Sequence, residues 1–490
     1  MSDEPGGAEE ALEEEPTSFK PPGQRIALVV SLIAVGVVLV VGGGWGLGLL
    51  RVHLEERGAA YYDPEVARLG AIDMDQVHNA LLPQLCFARD AEAAKQAHEA
   101  LAAAVASDET LAALAGELAS ARATAETIRD AVRQERAIVD RWNAYLRERE
   151  VPMALVMTMD GRIQRSAFCA LSYVVQADVE VPSPVGPVPV RFGARTDRIN
   201  ILEGYTGHAN DRTRRTFITT DRTADSAGER VWPLLAMGGV AEGRLTELQR
   251  HFAPRVKAEL ARSLEPGVLE PLVEGAPARV TLLTVKEEIN GRRACGSRFE
   301  FYRFLPLRGF DSEQLDHLER YARPRGVEAC PGLTLEEFNQ IADVSWQLQF
   351  IPGLRAGSRA LTALVARNVA VHEVRHVIDM EQGVTCAGCP EGLRESVVRE
   401  LSAYLATLSS GPAPVTELFL MCHSLQGRTT YQHGTAKRLI VARLMNGDCM
   451  SPIPDDLPAQ AKALEEELLS RSSDIALPDT FPDQLASRHY

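Results

Sequence analysis

A short stretch of the sequence carries two histidines and a glutamate at a spacing that suits a metal ion. His372, Glu373 and His376 form the pattern His-Glu-x-x-His within residues 371–380, which read VHEVRHVIDM. Positions i and i+4 of an α-helix lie on one face, so both imidazoles can reach a single ion. The carboxylate of Glu373 can then reach a water molecule bound to that ion and act as a general base.

The neighbouring residues favour ligation over coincidence. Chance predicts about 0.02 copies of this pattern in a chain of 490 residues with 11 histidines. Two histidines and a glutamate are costly to bury in an apolar helix without partners, and a metal ion is such a partner. A pair of hydrogen-bonded core histidines beside a salt-bridged glutamate is the alternative. Burial of the helix is predicted by its apolar residues, which are Leu361, Leu364, Val365, Val369, Val371, Val374, Val377 and Ile378.

On these residues, the segment from about 355 to 435 resembles the zincin metallopeptidases. The resemblance implies a Zn²⁺ ion held by both histidines and hydrolysis of peptide bonds. No histidine continues the motif as in H-E-x-x-H-x-x-G-x-x-H, which argues against the metzincin branch and favours the gluzincin branch. Arg375 departs from many zincins, which have an uncharged residue there; it could pair with Asp379 or with a substrate carboxylate.

Gluzincins take their third zinc ligand from a glutamate on a following helix, and two candidates are present. Glu395 follows His376 at nearly the spacing of aminopeptidase-type gluzincins, whereas Glu400 begins a segment that resembles the E-x-x-A-D motif of another branch. At 100° per residue, Glu400 falls about 60° from the centre of the apolar stripe and Glu395 about 160° away. Because a ligand must face the first helix, we prefer Glu400, with a cysteine of the Cys386/Cys389 loop as a further alternative. The stripe consists of Leu393, Val397, Leu401, Tyr404 and Leu408.

Supporting residues are expected on both sides of this helix pair. Asp379 lies within about 60° of both histidines on the helical wheel, so it could accept the second N–H of a ligating imidazole and fix its tautomer. A surface or salt-bridged aspartate is the equal alternative. Downstream, His423, Tyr431 and His433 are donors of the kind that gluzincins place over the developing oxyanion, and their order along the chain agrees with that family. Of these we select Tyr431 and His433.

These residues predict a membrane-anchored, zinc-dependent metallopeptidase that acts on a peptide or protein substrate. Glu373 would take the proton of the metal-activated water that attacks the peptide carbonyl, and would pass it to the leaving amine. Two alternatives stay open: a non-catalytic, membrane-anchored envelope scaffold with a structural or inactive zinc site, and a zinc hydrolase of a non-peptide amide. A formal net charge of −15 leaves no broad basic surface, so no nucleic-acid partner is expected.

The elements that position these residues predict an α+β fold with several domains. Residues 1–25 are acidic and rich in Pro and Gly, which predicts a disordered tail. Residues 26–50 are apolar and uncharged, and they predict a single transmembrane helix. The expected localisation is therefore that of a single-pass membrane protein with its C-terminal part on the extracytoplasmic, periplasmic side.

Four further segments follow the predicted anchor. Residues 51–150 indicate a helical hairpin or a coiled coil, because an apolar a/d seam with Glu135 as its one polar residue runs over 111–146. That seam could support a homo-oligomer or pack within a small bundle. The other predicted segments are a mixed β-rich domain at 151–275, a mostly helical zincin-like domain at 276–450 and a C-terminal tail at 451–490.

Two local features complete the prediction. Strand-like runs at 279–286 and 298–305 flank Asn290 and Gly291, which predicts a β-hairpin. The chain has eight cysteines, which permit up to four disulfides in an exported protein. For Cys386 and Cys389, we expect a local disulfide rather than a redox site.

Overall fold

A computed structural model describes most of the chain beyond residue 66. Residues 60–490 form one compact unit. The described ranges are 67–88, 90–158, 167–197, 206–210, 213–239, 241–292, 305–322, 334–427, 429–471 and 475–487.

The structure corrects the predicted fold class in one respect, the membrane anchor. Within the described ranges, no helix is both long enough and apolar enough to cross a membrane. The longest of them, Leu354–Gln382, carries several arginines, so its buried surface is not purely apolar. The segment 26–50 and the tail 1–25 lie outside the described residues. The described fold is α+β, and the predicted transmembrane helix and the single-pass, extracytoplasmic localisation that depended on it are corrected accordingly. The membrane as a partner stays a prediction.

A helical bundle forms the N-terminal part of the described chain. Short helices at Met74–Gln76 and Leu82–Cys86 flank a π-helix at Val77–Leu81, and they follow a pair of two-residue strands, Arg68–Leu69 and Ile72–Asp73. Three longer helices come next: α1 (Ala91–Val105), α2 (Glu109–Thr124) and α3 (Ile128–Glu148). Each begins after a capping side chain, Asp90, Asp108 or Thr127, that accepts a backbone N–H of the first turn.

The apolar seam predicted over 111–146 is folded back on itself. The chain turns between α2 and α3, where Ala125 is extended and Thr127 caps the second helix. The polar residue of the seam, Glu135, is buried and binds Arg122, with 2.6 Å between Oε1 and Nε. The segment is thus a small bundle rather than a continuous coiled coil, and self-association through it stays a prediction. The seam residues Leu111, Leu114, Leu118, Ala121, Val139, Trp142 and Leu146 share one core.

A five-stranded mixed sheet follows the bundle. Its strands are β1 (Met153–Met157), β2 (Ala170–Val181), β3 (Val188–Arg195), β4 (Gly207–Asn210) and β5 (Arg215–Thr219). The order across the sheet is β1-β2-β3-β5-β4. Only the β3–β5 pair is parallel among these strands, and β4 is an edge strand that pairs antiparallel with β5.

The remainder of the described chain is mainly helical. A π-helix at Ala227–Val231 and 3₁₀-helices at Trp232–Ala236 and Glu242–Arg244 separate the first two of its α-helices. The helices are α4 (Thr220–Ser226), α5 (Glu247–Ser263), α6 (Pro266–Arg292), α7 (Ser312–Ala322), α8 (Leu335–Gln349), α9 (Leu354–Gln382), α10 (Glu395–Ser410), α11 (Pro414–Leu425), α12 (Tyr431–Leu444) and α13 (Leu457–Leu469).

The predicted β-hairpin is wrong, because its first strand lies inside α6. Val280, Leu282, Val285 and Ile289 are buried at helical spacing, and they pack into the large core of the helical part. The guanidinium of Arg279 donates to the carbonyls of Gly228 and Pro306, at 2.9 and 2.6 Å. Tertiary packing therefore outweighs the strand preference of the β-branched residues in this segment.

One core joins the sheet, α9 and the C-terminal segment 475–487. Phe192 and Ile218 of the sheet pack with Val371 and Val374 of α9. Ile475, Phe481 and Leu485 belong to the same core. The C-terminal segment is also held by polar contacts, since the Ala486 N–H donates to Gln176 at 2.7 Å and the Ser487 hydroxyl donates to Asp221 at 2.7 Å.

Three disulfides lie within the described residues. Cys86 pairs with Cys169 and ties the bundle to the start of β2, while Cys422 pairs with Cys449 near α11 and α12. Cys386 pairs with Cys389, as the sequence predicted. Cys295 and Cys330 lie outside the described residues.

Candidate metal centre

Helix α9 brings the two motif histidines together on one face. The Nε2 atoms of His372 and His376 are 3.1 Å apart, as expected for residues one turn apart. The helix is buried along most of its length between the sheet and α10. Each ring is itself only partly exposed, with 13% of the His372 side chain and 17% of the His376 side chain accessible.

Helix α10 adds a carboxylate to this pair. Glu400 places Oε2 at 3.4 Å from Nε2 of His372 and Oε1 at 3.8 Å from Nε2 of His376. One ligand atom from each of the three residues lies within 4.8 Å of the others. Glu395 is exposed and binds Arg399 instead. Of the two predicted glutamates, Glu400 is therefore the one that the fold brings to the histidines, as the helical phase predicts.

The three groups fit a zinc ion by donor type and by spacing. Two imidazole nitrogens and one carboxylate oxygen are a ligand set that zinc sites use. Ligand atoms about 2.0–2.1 Å from a tetrahedral zinc ion lie about 3.3–3.4 Å from one another, close to the separations found here. The cysteine alternative is excluded in this structure, because Cys386 and Cys389 are joined to each other.

The protonation states of His376 and Glu400 also suit a cation. Burial, with the neighbouring charge of His372, lowers the pKa of His376 to about 3, so its ring is neutral and has a free lone pair. Burial alone would lower the pKa of His372, but the interaction with Glu400 raises it. Burial would raise the pKa of Glu400, whereas hydrogen bonds from His372 and His433 hold it well below its usual range. Glu400 is therefore ionised.

Glu373 lies beside the ligands and against the edge strand β4. Its carboxylate is buried, with 6% of the residue exposed, and it accepts the backbone N–H of Ala209. Burial raises the pKa of Glu373 to about 7, with a further increase from Glu400 and opposing effects from His372 and from that N–H. Gly207 makes this approach possible, because a β-carbon there would lie 2.8 Å from Cγ of Glu373. Neither β4 residue was identified from the sequence, because the strand is only four residues long.

Tyr404, which the sequence places in the apolar stripe and, in the segment that resembles E-x-x-A-D, at the position of the Asp, lies beside the triad. The Tyr404 hydroxyl lies 3.0 Å from Nδ1 of His433, which in turn lies 2.9 Å from Oε2 of Glu400. The Tyr404 ring is buried, 4.7 Å from the His372 ring, with the Lys437 ammonium 4.9 Å from its centroid. Burial raises the pKa of Tyr404 well above its usual value of 10, so the phenol keeps its proton. Tyr404 follows Glu400 by four residues, so the sequence indicated that the two share one face of the helix.

The predicted Tyr431 does not share this position. Its side chain is exposed, and the Arg394 guanidinium lies 5.2 Å from its ring centroid. His423 packs against Phe419, with 5.8 Å between ring centroids. Of the three predicted downstream donors, His433 is the one that the fold brings to the ligands.

Asp379 belongs to a buried ionic network rather than to an imidazole. Its carboxylate accepts from Nε of Arg375 at 3.0 Å and also binds Arg471. Arg375 further contacts Ser402 of α10 at 2.7 Å and Glu465 of α13 at 2.9 Å. The structure therefore has the salt-bridged alternative for Asp379, and this network fixes α9 against α10 and α13.

The assembled site combines a cation-binding triad with a buried acid that can exchange a proton near neutral pH. A phenol and an imidazole, those of Tyr404 and His433, lie beside the triad as hydrogen-bond donors. With a metal ion held by the triad, such a combination would be able to polarise a carbonyl group and activate water. Scans of the chain against protein-family models, curated proteins and solved structures found no match.

Proposed function

We propose that this protein is a zinc-dependent hydrolase of peptide bonds. The observation that carries the proposal is the convergence of His372, His376 and Glu400 within 4.8 Å, beside the buried carboxyl of Glu373. A zinc ion held by the three ligands would supply Lewis acidity, which polarises a carbonyl and makes water a stronger acid.

Glu373 has the position and the proton affinity of a general base. With a pKa of about 7, its carboxylate is ionised in a large fraction of molecules at neutral pH and can accept the proton of the attacking water. The same oxygen can then donate that proton to the leaving amine. The Ala209 N–H orients the carboxylate, because it occupies one of its acceptor positions.

Strand β4 supports an extended peptide as the substrate. The Thr219 N–H donates to the Thr206 carbonyl at 2.9 Å, so alternate residues of β4 hydrogen-bond to β5. The intermediate residues, Gly207 and Ala209, turn their backbone groups to the opposite edge. A peptide added along that edge would pass Glu373 and could hydrogen-bond to β4.

Tyr404 and His433 are placed to stabilise the developing oxyanion. Both lie beside the triad, and the protonated phenol of Tyr404 is a donor at any pH at which the fold is stable. A fixed donor in a partly buried site stabilises such an anion more than water does, because it needs no reorganisation during the reaction.

The substitution Glu373→Gln tests the proposal, because it removes the base and keeps the side-chain volume. We expect the purified variant to retain one zinc ion per chain, since Glu373 is not a ligand. Its cleavage of denatured, fluorescein-labelled casein should fall by about 10²- to 10⁴-fold, the usual contribution of a general base. Metal analysis and the cleavage rate provide the two measurements.

The matched control is Glu395→Gln, the same change on an exposed residue of α10, which should leave zinc and cleavage unchanged. The variant His376→Ala should lose both the bound zinc ion and the cleavage activity. Undiminished cleavage by the Glu373→Gln variant would reject the assigned base. A wild-type protein with one zinc ion per chain and no cleavage would indicate the inactive scaffold instead.

A further inference from the structure

A cavity lies on the face of the sheet opposite α9. Its volume is about 630 Å³, within the range of small-molecule sites. It is lined by all five strands of the sheet and by α3, and we call it the sheet cavity. The strand β4 lies between it and the metal centre: Gly207 contacts Glu373, His208 lines the cavity, and Ala209 borders both.

Helix α3 closes the open side of the curled sheet. The edge strands are β1 and β4, and both are bound by one turn of this helix. Asn143 donates to the Leu155 carbonyl of β1 and accepts its N–H, both at 2.8 Å. Asp140 accepts from Asn210 of β4 at 3.3 Å. One helical turn spans only about 5.4 Å, so the two edges must curve towards each other around the cavity.

The floor of the sheet cavity is apolar and separate from the packed cores. Ala154, Leu171, Tyr173 and Phe217 form a cluster of their own, distinct from the other three apolar clusters of the described chain. Gly193 leaves the room that this cluster needs, because a β-carbon there would lie 2.4 Å from Cζ of Phe217. Phe217 and Val156, a half-buried residue that packs against this cluster, therefore offer apolar surface to the cavity, whereas Ala154, Leu171 and Tyr173 support them from beneath.

The walls of the sheet cavity carry four arginines and three acids. Of the arginines, Arg136 and Arg147 form no ion pair with a described residue, whereas Arg215 interacts with the charge of Asp140. A fourth arginine, Arg191, is paired with Asp178. Two other acids line the cavity, Asp140, which binds the Asn210 amide, and Glu180, which is exposed.

His208, which is half-buried, adds a neutral donor to the same walls. Burial, together with the charge of Arg136, lowers the pKa of His208 to about 4, so its ring carries a single N–H at neutral pH. An anionic group near Arg136 would thus find both charge and a hydrogen bond.

We propose that the sheet cavity binds an aliphatic carboxylate, with one acyl chain along its apolar surface and the carboxylate at Arg136 and Arg215. A peptide suits the cavity less well. The strands present side chains to it, and apart from the outer edge of β4 their backbone groups are already paired within the sheet. Peptide groups would therefore be buried without partners, whereas an acyl chain has none to satisfy.

Calorimetric titration of the full-length chain with dodecanoate tests the proposal. We expect saturable binding of one dodecanoate, and at least about tenfold weaker binding of dodecanol, which lacks the charge. Arg136→Gln and Arg215→Gln should each weaken dodecanoate binding by about tenfold or more. Arg141→Gln is the matched control, because Arg141 lies on the same helix but is paired with Glu117 outside the cavity; its affinity should equal that of the wild type.

Three results would overturn the proposal. They are the absence of dodecanoate binding at submillimolar concentrations, equal affinity for dodecanol, and unchanged affinity in both the Arg136→Gln and Arg215→Gln variants. Displacement of dodecanoate by an apolar pentapeptide at equal concentration would assign the cavity to peptide ends instead. The readout is binding, so it is independent of whether the metal centre cleaves peptides.

Discussion

Tyr404 occupies the position that the sequence analysis gave to Tyr431. Its hydroxyl lies 3.0 Å from His433, whereas Tyr431 is exposed beside Arg394. The two tyrosines differ in burial and in neighbours but not in chemistry. This makes them a matched pair for locating the oxyanion donor.

We predict that Tyr404→Phe lowers kcat by about 10²- to 10³-fold, the usual effect of losing one oxyanion donor, with little change in KM. Zinc content should stay at the wild-type level, because the phenol is not among the three ligands. Steady-state cleavage of a quenched fluorescent peptide measures both constants. Tyr431→Phe should behave as the wild type, and the reverse pattern would contradict the assignment of Tyr404.

The sequence was sufficient for those site residues that share a helix or a helical phase. His372, Glu373 and His376 follow from a spacing of one turn, and Glu400 follows from its angle to the apolar stripe. Tyr404 was counted with that stripe, because aromatic residues at helical spacing usually pack in a core. Its role depends on the approach of α12, a tertiary contact that no local pattern contains.

At the scale of elements, the contact between β4 and α9 positions the acid of the site. A β-carbon at Gly207 would lie 2.8 Å from both Glu373 and Val369, so the strand and the helix touch without an intervening side chain. The close approach lets the Ala209 N–H reach the carboxylate.

We predict that Gly207→Ala displaces β4 and lowers cleavage by about tenfold or more while zinc stays bound. The free energy of unfolding should fall by about 1–3 kcal/mol, as for other overpacked positions. Urea unfolding and the cleavage assay measure the two effects. Gly116→Ala in α2 is the control, because a β-carbon there meets nothing within 4 Å; it should be neutral or slightly stabilising. Full activity in the Gly207→Ala variant would show that the contact is not needed.

The helices around the candidate metal centre were predictable from the sequence, whereas the helix at residues 279–286 was not. Helical periodicity identified the helices around the metal centre, because their apolar faces are wide and regular. The strand-like residues 279–286 instead form part of α6, since burial on the helical core outweighs their strand preference. The seam over 111–146 left a helical hairpin and a coiled coil both open, and only the cap at Thr127 marks the turn within it.

At the scale of the whole molecule, helix α9, which carries His372 and His376, is enclosed by segments from distant parts of the sequence. The sheet covers one side of α9, and the C-terminal segment closes the same core through Phe481. The Phe481 ring meets Phe192 edge-on with 5.0 Å between centroids, and the Arg367 guanidinium lies 5.8 Å from it. Contacts between segments so far apart in the chain leave no pattern in the local sequence. The sequence therefore did not decide whether the C-terminal tail packs on the rest of the protein.

We predict that Phe481→Ala lowers the free energy of unfolding by about 3–5 kcal/mol, because it removes a buried aromatic side chain. Zinc should dissociate more readily from the variant, since α9 loses part of its support. Chemical denaturation and competition for zinc with a chelator measure these effects. Phe87→Ala, at a residue that is 57% exposed, should change neither; a similar loss at both positions would contradict the proposed role of the tail.

The core around α9 also determines when the candidate metal centre can reach its final packing. Residues 475–487 follow every other described element in the chain, yet they complete that core. During translation, α9 therefore emerges long before its final covering has left the ribosome. For a protein that cleaves unfolded chains, as proposed above, this order would keep the centre immature while nascent polypeptide, its own included, is the nearest material to cut.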